Sequence, residues 1–187
     1  MRCRVLLVLL LCALPAVPQA TVVVPAEFRE VVNGADVIAY GRVVETTVET
    51  GDARRRVDTL VTLRVGTYLK GGPGDTLVFR VPGGQVGRYR TVLVGAPQFA
   101  VGDEVIVFLN TAAREYPTVF GLNQGVFRVE LEAQTRRRVV MPTAVMAQSD
   151  EPERVVRGAS SRRPVPLETF GAQVQTVLAE RSRRGQQ

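Results

Sequence analysis

Residues 57–69 alternate with a period of two. Val57, Thr59, Val61, Leu63, Val65, Thr67 and Leu69 fall on one face, while Asp58, Thr62, Arg64 and, just beyond, Lys70 fall on the other. Successive side chains of an extended backbone point to opposite faces, so this is the pattern of a half-buried strand. Residues 36–49 have the same character, and the polar stretch 50–55 composes a turn, so the two runs predict a long antiparallel hairpin. A glycine corner at 71–75 leads into a strand over 76–81, and a second glycine break at 82–87 precedes a strand over 88–95. The turn Val101, Gly102 and Asp103 introduces a strand over 104–110. After a loop at 111–118, residues 119–132 and 136–141 predict another hairpin that turns at Ala133, Gln134 and Thr135. Strands at this spacing, punctuated by turns, predict a small barrel or sandwich. Gly41 and Gly66 would let its two long strands bend.

Two segments switch to the helical period. Residues 22–34 predict a short helix with Pro25 at its first position, Phe28, Val31 and Val32 on one side, and Gly34 at its end. Residues 167–184 place Leu167, Phe170, Val174, Val177 and Leu178 on one stripe, with Glu168 early and Arg181, Arg183 and Arg184 late, as the helix dipole favours. The charged, proline-bearing stretch 147–166 reads as a polar connector.

The N-terminus changes the picture of where the protein works. Arg2 and Arg4, the apolar run 5–14 and the small-residue stretch 15–20 predict a secretory signal cleaved after Ala20. Interrupted by Pro15 and Pro18, the run is too short for a membrane span, which needs about 20 residues of helix. Bulky Leu11 before Cys12 argues against lipid attachment at that cysteine. The expected organisation is a signal at 1–20, one β-barrel domain at 21–146, a connector at 147–166 and a C-terminal helix at 167–184. The expected destination is the periplasm or the medium.

Both cysteines, Cys3 and Cys12, lie inside that signal, and the 187-residue chain contains no histidine. The exported form would therefore have no disulfide, no Cys/His zinc site and no imidazole base. Ser149, Ser160, Ser161 and Ser182 fall in the connector or tail, and Lys70, beside Gly71, reads as a solvated ammonium. Asp36, Asp58, Asp103 and Glu104 sit at predicted strand edges or turns, where carboxylates commonly cap or remain solvated. The glycine stretches 71–74 and 82–87 lack the Gly-Lys-Ser/Thr ending of a phosphate loop and read as hairpin corners. The expectation is a noncatalytic protein with no metal and no cofactor.

Binding is the remaining class. The net charge is +6, with arginine clusters at 54–56, at Arg88, Tyr89 and Arg90, and at Arg136, Arg137 and Arg138. Interleaving Tyr89 between guanidiniums suits a polyanion contact with surface polysaccharide, lipid headgroups or nucleic acid. The alternative use of these residues is as solvated charges that protect hairpin ends. The loop 111–125 offers Tyr116, Phe120 and Gln124 as a contact for another exported protein; the alternative is that Phe120 and Leu122 plug the barrel while Asn123 and Gln124 bond its backbone. Protein recognition is the first expectation, and polyanion binding through arginine is the second.

The order of landmarks also carries a resemblance. The short helix, Ala35-Asp36-Val37-Ile38, the strand beginning Gly41-Arg42-Val43-Val44, the corner Leu69-Lys70-Gly71, and Gly102-Asp103-Glu104-Val105 together resemble the netrin-like module. The tissue inhibitors of metalloproteinases are its best-known members. The likeness spans about residues 25–131 and extends to a group of bacterial exported proteins that share the Gln124-Gly125 landmark. It implies a five-stranded OB-type barrel with helices packed at its ends, and export. The inhibitors chelate a protease's zinc through an N-terminal cysteine fixed by disulfides. This chain has Thr21 at the expected new terminus, so the resemblance gives little support to protease inhibition.

Overall fold

The computed structural model describes residues 26–50, 57–72, 74–112, 115–141 and 164–185. The predicted signal, Pro25, the arginines at 54–56 and most of the connector lie outside them. The protein is mainly β, as the alternation predicts. In chain order its described elements are α1 (Phe28–Gly34), β1 (Val37–Thr50), β2 (Val57–Lys70), β3 (Thr76–Pro82), β4 (Gly84–Val86), β5 (Tyr89–Thr91), β6 (Glu104–Asn110), β7 (Thr118–Val119), β8 (Val126–Leu131), β9 (Arg138–Val140), β10 (Val165–Pro166) and α2 (Leu167–Arg184).

One sheet runs β1-β2-β3-β7-β6-β8-β9-β10, and β1 also pairs with β6. The strands β1, β2, β3, β7 and β6 thus form a ring, a partly closed barrel whose parallel β3–β7 seam is the Arg80–Thr118 bridge. The first half of β1 makes the ring possible because it has ladder partners on both sides: Val37–Arg42 pair with Leu109–Glu104 of β6, while β1 pairs with β2 from Ile38 to Thr50. Between β1 and β2 the register slips three times, leaving Val44, Gly66 and Leu69 without opposite residues. Each extra residue is a bulge that bends the ribbon and increases its twist.

These bulges also change which side chains point inward. Val61, Leu63 and Val65 reach the barrel interior together with Val37, Ala39, Val43, Leu77, Phe79, Val105, Val107 and Leu109. Beyond the Gly66 bulge the parity flips, so Tyr68 faces that interior and Leu69 faces the opposite side. The single continuous face expected over 57–69 therefore breaks at Gly66.

A second core lies outside the sheet, where α1 and α2 cover Ile38, Ile106, Phe108, Val129 and Val140. Phe170, Val174 and Val177 of α2 are buried there, matching the predicted stripe. Phe28, Phe108, Phe127 and Phe170 form a ring cluster with centroids 5.0–6.5 Å apart, spacings at which edge-on and tilted aromatic pairs attract.

Polar groups tie the helices to each other and to the sheet. Lys70 is not the solvated ammonium expected from its place beside Gly71. Its Nζ donates to the carbonyls of Val32, at 3.3 Å, and Ala35, at the C-terminal end of α1. Arg181 of α2 donates to Asn33 O at 2.7 Å, so two cations meet the negative end of the α1 dipole. Burial, followed by the nearby Arg181 charge, lowers the Lys70 pKa. Gln175 secures α2 to the same corner through Leu69 O at 2.8 Å.

The short elements depart from the pattern reading. α1 begins at Phe28, with the Glu27 amide donating to the Glu30 carboxylate at 3.1 Å, so the helix starts later than Pro25. Within the run 88–95, β5 covers Tyr89–Thr91 and pairs with β4 in a separate small sheet. Phe120 to Gly125 turn instead of continuing a strand, because Gly121 and Leu122 are left-handed (φ 55° and 61°). Asp58 is buried beside Arg80 rather than solvated, with the Nε–Oδ2 separation 3.8 Å. The end of the expected connector is ordered too, since Val165 and Pro166 pair with β9.

Candidate functional site

The long connection from β3 to β6 forms a flap over one part of the barrel. Its root is fastened twice at Gly83: the amide donates to Val57 O at 2.8 Å, and Thr59 Oγ1 donates to Gly83 O at 2.7 Å. A Cβ at Gly84 would approach Thr59 Oγ1 and Val48 Cγ1 to 2.9 Å, and φ there is 157°, so the chain passes the β1–β2 ribbon where a side chain has little room. The returning limb is anchored by buried Pro97 and by Phe99, whose ring meets Phe79 edge-on at 5.3 Å. Gln98 joins this limb to its surroundings, accepting from Arg90 through Oε1 at 3.3 Å and from Arg128 through its carbonyl at 2.6 Å.

Between these anchors the flap is open to solvent. Tyr89 is 68% exposed, Val92 59% and Val94 89%, with Val86 and Leu93 also exposed. Arg88 lies 5.0 Å from the Tyr89 ring centroid and donates to its hydroxyl at 2.8 Å. Beneath the flap runs a groove of about 410 Å³ lined by Thr46, Val48 and Thr59 of the ribbon and by Thr91 and Leu93 of the flap. Its described lining contains hydroxyl, amide, guanidinium and aliphatic groups but no carboxylate. Such a surface can bind; it offers no paired base and nucleophile.

A second polar cluster lies at the edge of the helix-covered face. Glu104 accepts from Tyr40 Oη at 2.8 Å, from Arg138 Nε at 2.9 Å and from Arg42. Burial alone would raise the Glu104 pKa; hydrogen bonds from Arg138 and Tyr40, with the charges of Arg138 and Arg42, outweigh it and hold the carboxyl below its usual range. A depressed carboxylate stabilises the fold above its unfolded pKa of about 4.3, and that contribution is lost as pH falls through the folded value. Glu104→Gln is therefore expected to lower the urea midpoint at neutral pH, and the gap from the parent protein should shrink on acidification. An unchanged gap between neutral pH and pH of about 3 would show that ionised Glu104 carries no such stability.

The residues singled out from sequence separate into different environments. Arg88, Tyr89 and Arg90 sit together on the exposed flap. Arg138 is committed to Glu104, while exposed Arg136 turns left-handed (φ 57°) and its amide donates to Glu132 O to close the β8–β9 turn. Arg137 is exposed beside it, its amide donating to Thr135 Oγ1 at 3.3 Å. Tyr116 lies under the Arg80 guanidinium, 5.3 Å from carbon to ring centroid. Phe120 packs against the helix-covered core, and Gln124 Oε1 accepts from the Ala26 amide. The Tyr40, Arg42, Glu104 and Arg138 cluster went unseen in the sequence, although Arg42 within the apolar stretch 37–44 and Glu104 at the head of the apolar run 105–109 were a signal for it.

Among the described residues no group of three or more metal-ligating side chains comes together, and no helix is long and apolar enough to cross a membrane. No protein-family model matches the chain, and no curated protein matches it. Fold and surface together define a mainly β, partly closed barrel that carries an anchored apolar flap.

Proposed function

We propose that this protein is an exported, noncatalytic binding module of the netrin-like, OB-barrel kind, and that it meets its partner through the flap at 84–95. The strand order β1-β2-β3-β7-β6, closed by β1–β6, supports that kinship. The observation that carries the binding role is the exposed aliphatic run Val92, Leu93 and Val94 on a loop held firmly at both ends. Exposed apolar groups in a contiguous patch mark contact surfaces. Tyr116, Phe120 and Gln124 have internal packing or bonding partners, which favours the flap over them as the point of contact.

Because Cys3 and Cys12 both lie in the expected signal, a cysteine introduced elsewhere becomes a selective reporter in the processed protein. Val94→Cys should react rapidly with a water-soluble maleimide in the purified protein and several-fold more slowly in the exporting cells. Thr47→Cys, on an exposed part of β1, should react alike in both. Equal labelling of Val94→Cys in the two settings would overturn the flap as the contact surface.

A further inference from the structure

We propose that the flap seats the protein on an anionic lipid surface, with Val92, Leu93 and Val94 entering the boundary between headgroups and acyl chains and Arg88 and Arg90 binding lipid phosphates. This deepens the flap reading above and rests on it. Three consecutive aliphatic side chains are exposed, Val94 almost fully and Val92 and Leu93 in part, where they also line the groove; a strand on a sheet face would alternate them between two environments. Water is a costly surrounding for the exposed parts of all three, and a hydrocarbon boundary removes that cost without requiring a complementary protein pocket.

The charge around them selects the kind of surface. Between Asp75 and Asp103 the chain has no acidic residue, so the flap carries Arg88 and Arg90 with no carboxylate of its own. The described hydrogen-bond partners of both guanidiniums are neutral, namely the Tyr89 hydroxyl and the Gln98 amide oxygen. Their charge is therefore available to phosphate, and a guanidinium fork suits phosphate oxygens. Tyr89, exposed and stacked with Arg88, is an amphipathic ring of the type that lies at headgroup depth. The fastened root at Gly83 and the Phe99 anchor let this tip enter a boundary while the barrel stays folded.

The test uses protein as processed by the exporting cell, with vesicles of phosphatidylcholine alone or of equimolar phosphatidylcholine and phosphatidylglycerol. Co-sedimentation should require the anionic lipid and weaken with salt. Arg88→Ala and Arg90→Ala should each reduce partitioning about fivefold, and combined Val92→Ser, Leu93→Ser and Val94→Ser about tenfold or more. Partitioning that ignores the anionic lipid, or survives the three serines intact, would overturn the proposal; the latter is the behaviour of a purely electrostatic polyanion binder.

A gain of signal guards against misfolded variants. The chain has no tryptophan, so Val94→Trp supplies one reporter. Its emission should shift to the blue on anionic vesicles and be quenched by brominated acyl chains, while Thr47→Trp should remain unquenched. Absence of quenching at position 94 overturns lipid insertion. If Val94→Cys is nevertheless shielded in cells, the flap still binds and its partner is a protein.

Discussion

Phe108→Ala is expected to destabilise the protein by about 4 kcal/mol, within the range for removing a fully buried aromatic ring from a core. Phe108 has no solvent exposure, and its ring lies 5.3 Å from Phe127, 6.4 Å from Phe170 and 6.5 Å from Phe28. Truncation removes the transfer free energy of the ring and leaves a hole between the sheet and both helices. The surrounding rings can close it only by losing their contacts with one another. Urea denaturation followed by circular dichroism measures the loss, and amide exchange in α2 should accelerate most, because Phe170 would lose its support. A change below about 1 kcal/mol would mean that the helix layer repacks freely and that this cluster does not hold it.

Gly41→Ala should cost about 3 kcal/mol, whereas Gly66→Ala should stay within about 1 kcal/mol. A Cβ at Gly41 would stand 2.3 Å from Arg64 O and 2.9 Å from Leu63 Cγ, so the ribbon must separate to admit it. That obstacle is mainly backbone, and Gly41 also pairs with Val105 of β6, so motion toward either side disturbs a ladder. At Gly66 the nearest atom is Tyr40 Cδ1 at 3.4 Å, a side-chain contact near ordinary van der Waals distance. Equal denaturation midpoints for the two variants would refute close backbone approach as the reason for glycine at 41.

That contrast shows how much of the fold was legible. Both glycines interrupt apolar strands and look alike in sequence, yet Gly66 is the bulge residue and Gly41 is the residue another backbone passes. The long hairpin and the α2 stripe were readable because each repeats a local period over many residues, and β6 because an unbroken apolar run at 105–109 follows the turn at Gly102. The face switch at Gly66 was not, since an alternating pattern does not record an inserted residue that is compensated across the ladder.

The same limit governs the candidate site. Arginines at 88 and 90 were visible as a basic pair, but Val92, Leu93 and Val94 read as strand because their composition is that of a strand. Their exposure depends on β5 ending at Thr91, which no local propensity records. Lys70 likewise looked solvated, and became a cap for α1 only when β2 delivered it to carbonyls more than thirty residues earlier in the chain.

The sequence by itself determined the mainly β class, the amphipathic C-terminal helix, the lack of histidine and the confinement of cysteine to the first residues, because period and composition are local properties. Tertiary structure decided which strands close the ring, which arginines are neutralised by a carboxylate and which aliphatic side chains remain in water. Those outcomes depend on distances between residues far apart in the chain, where pairing and desolvation, rather than local propensity, set the free energy.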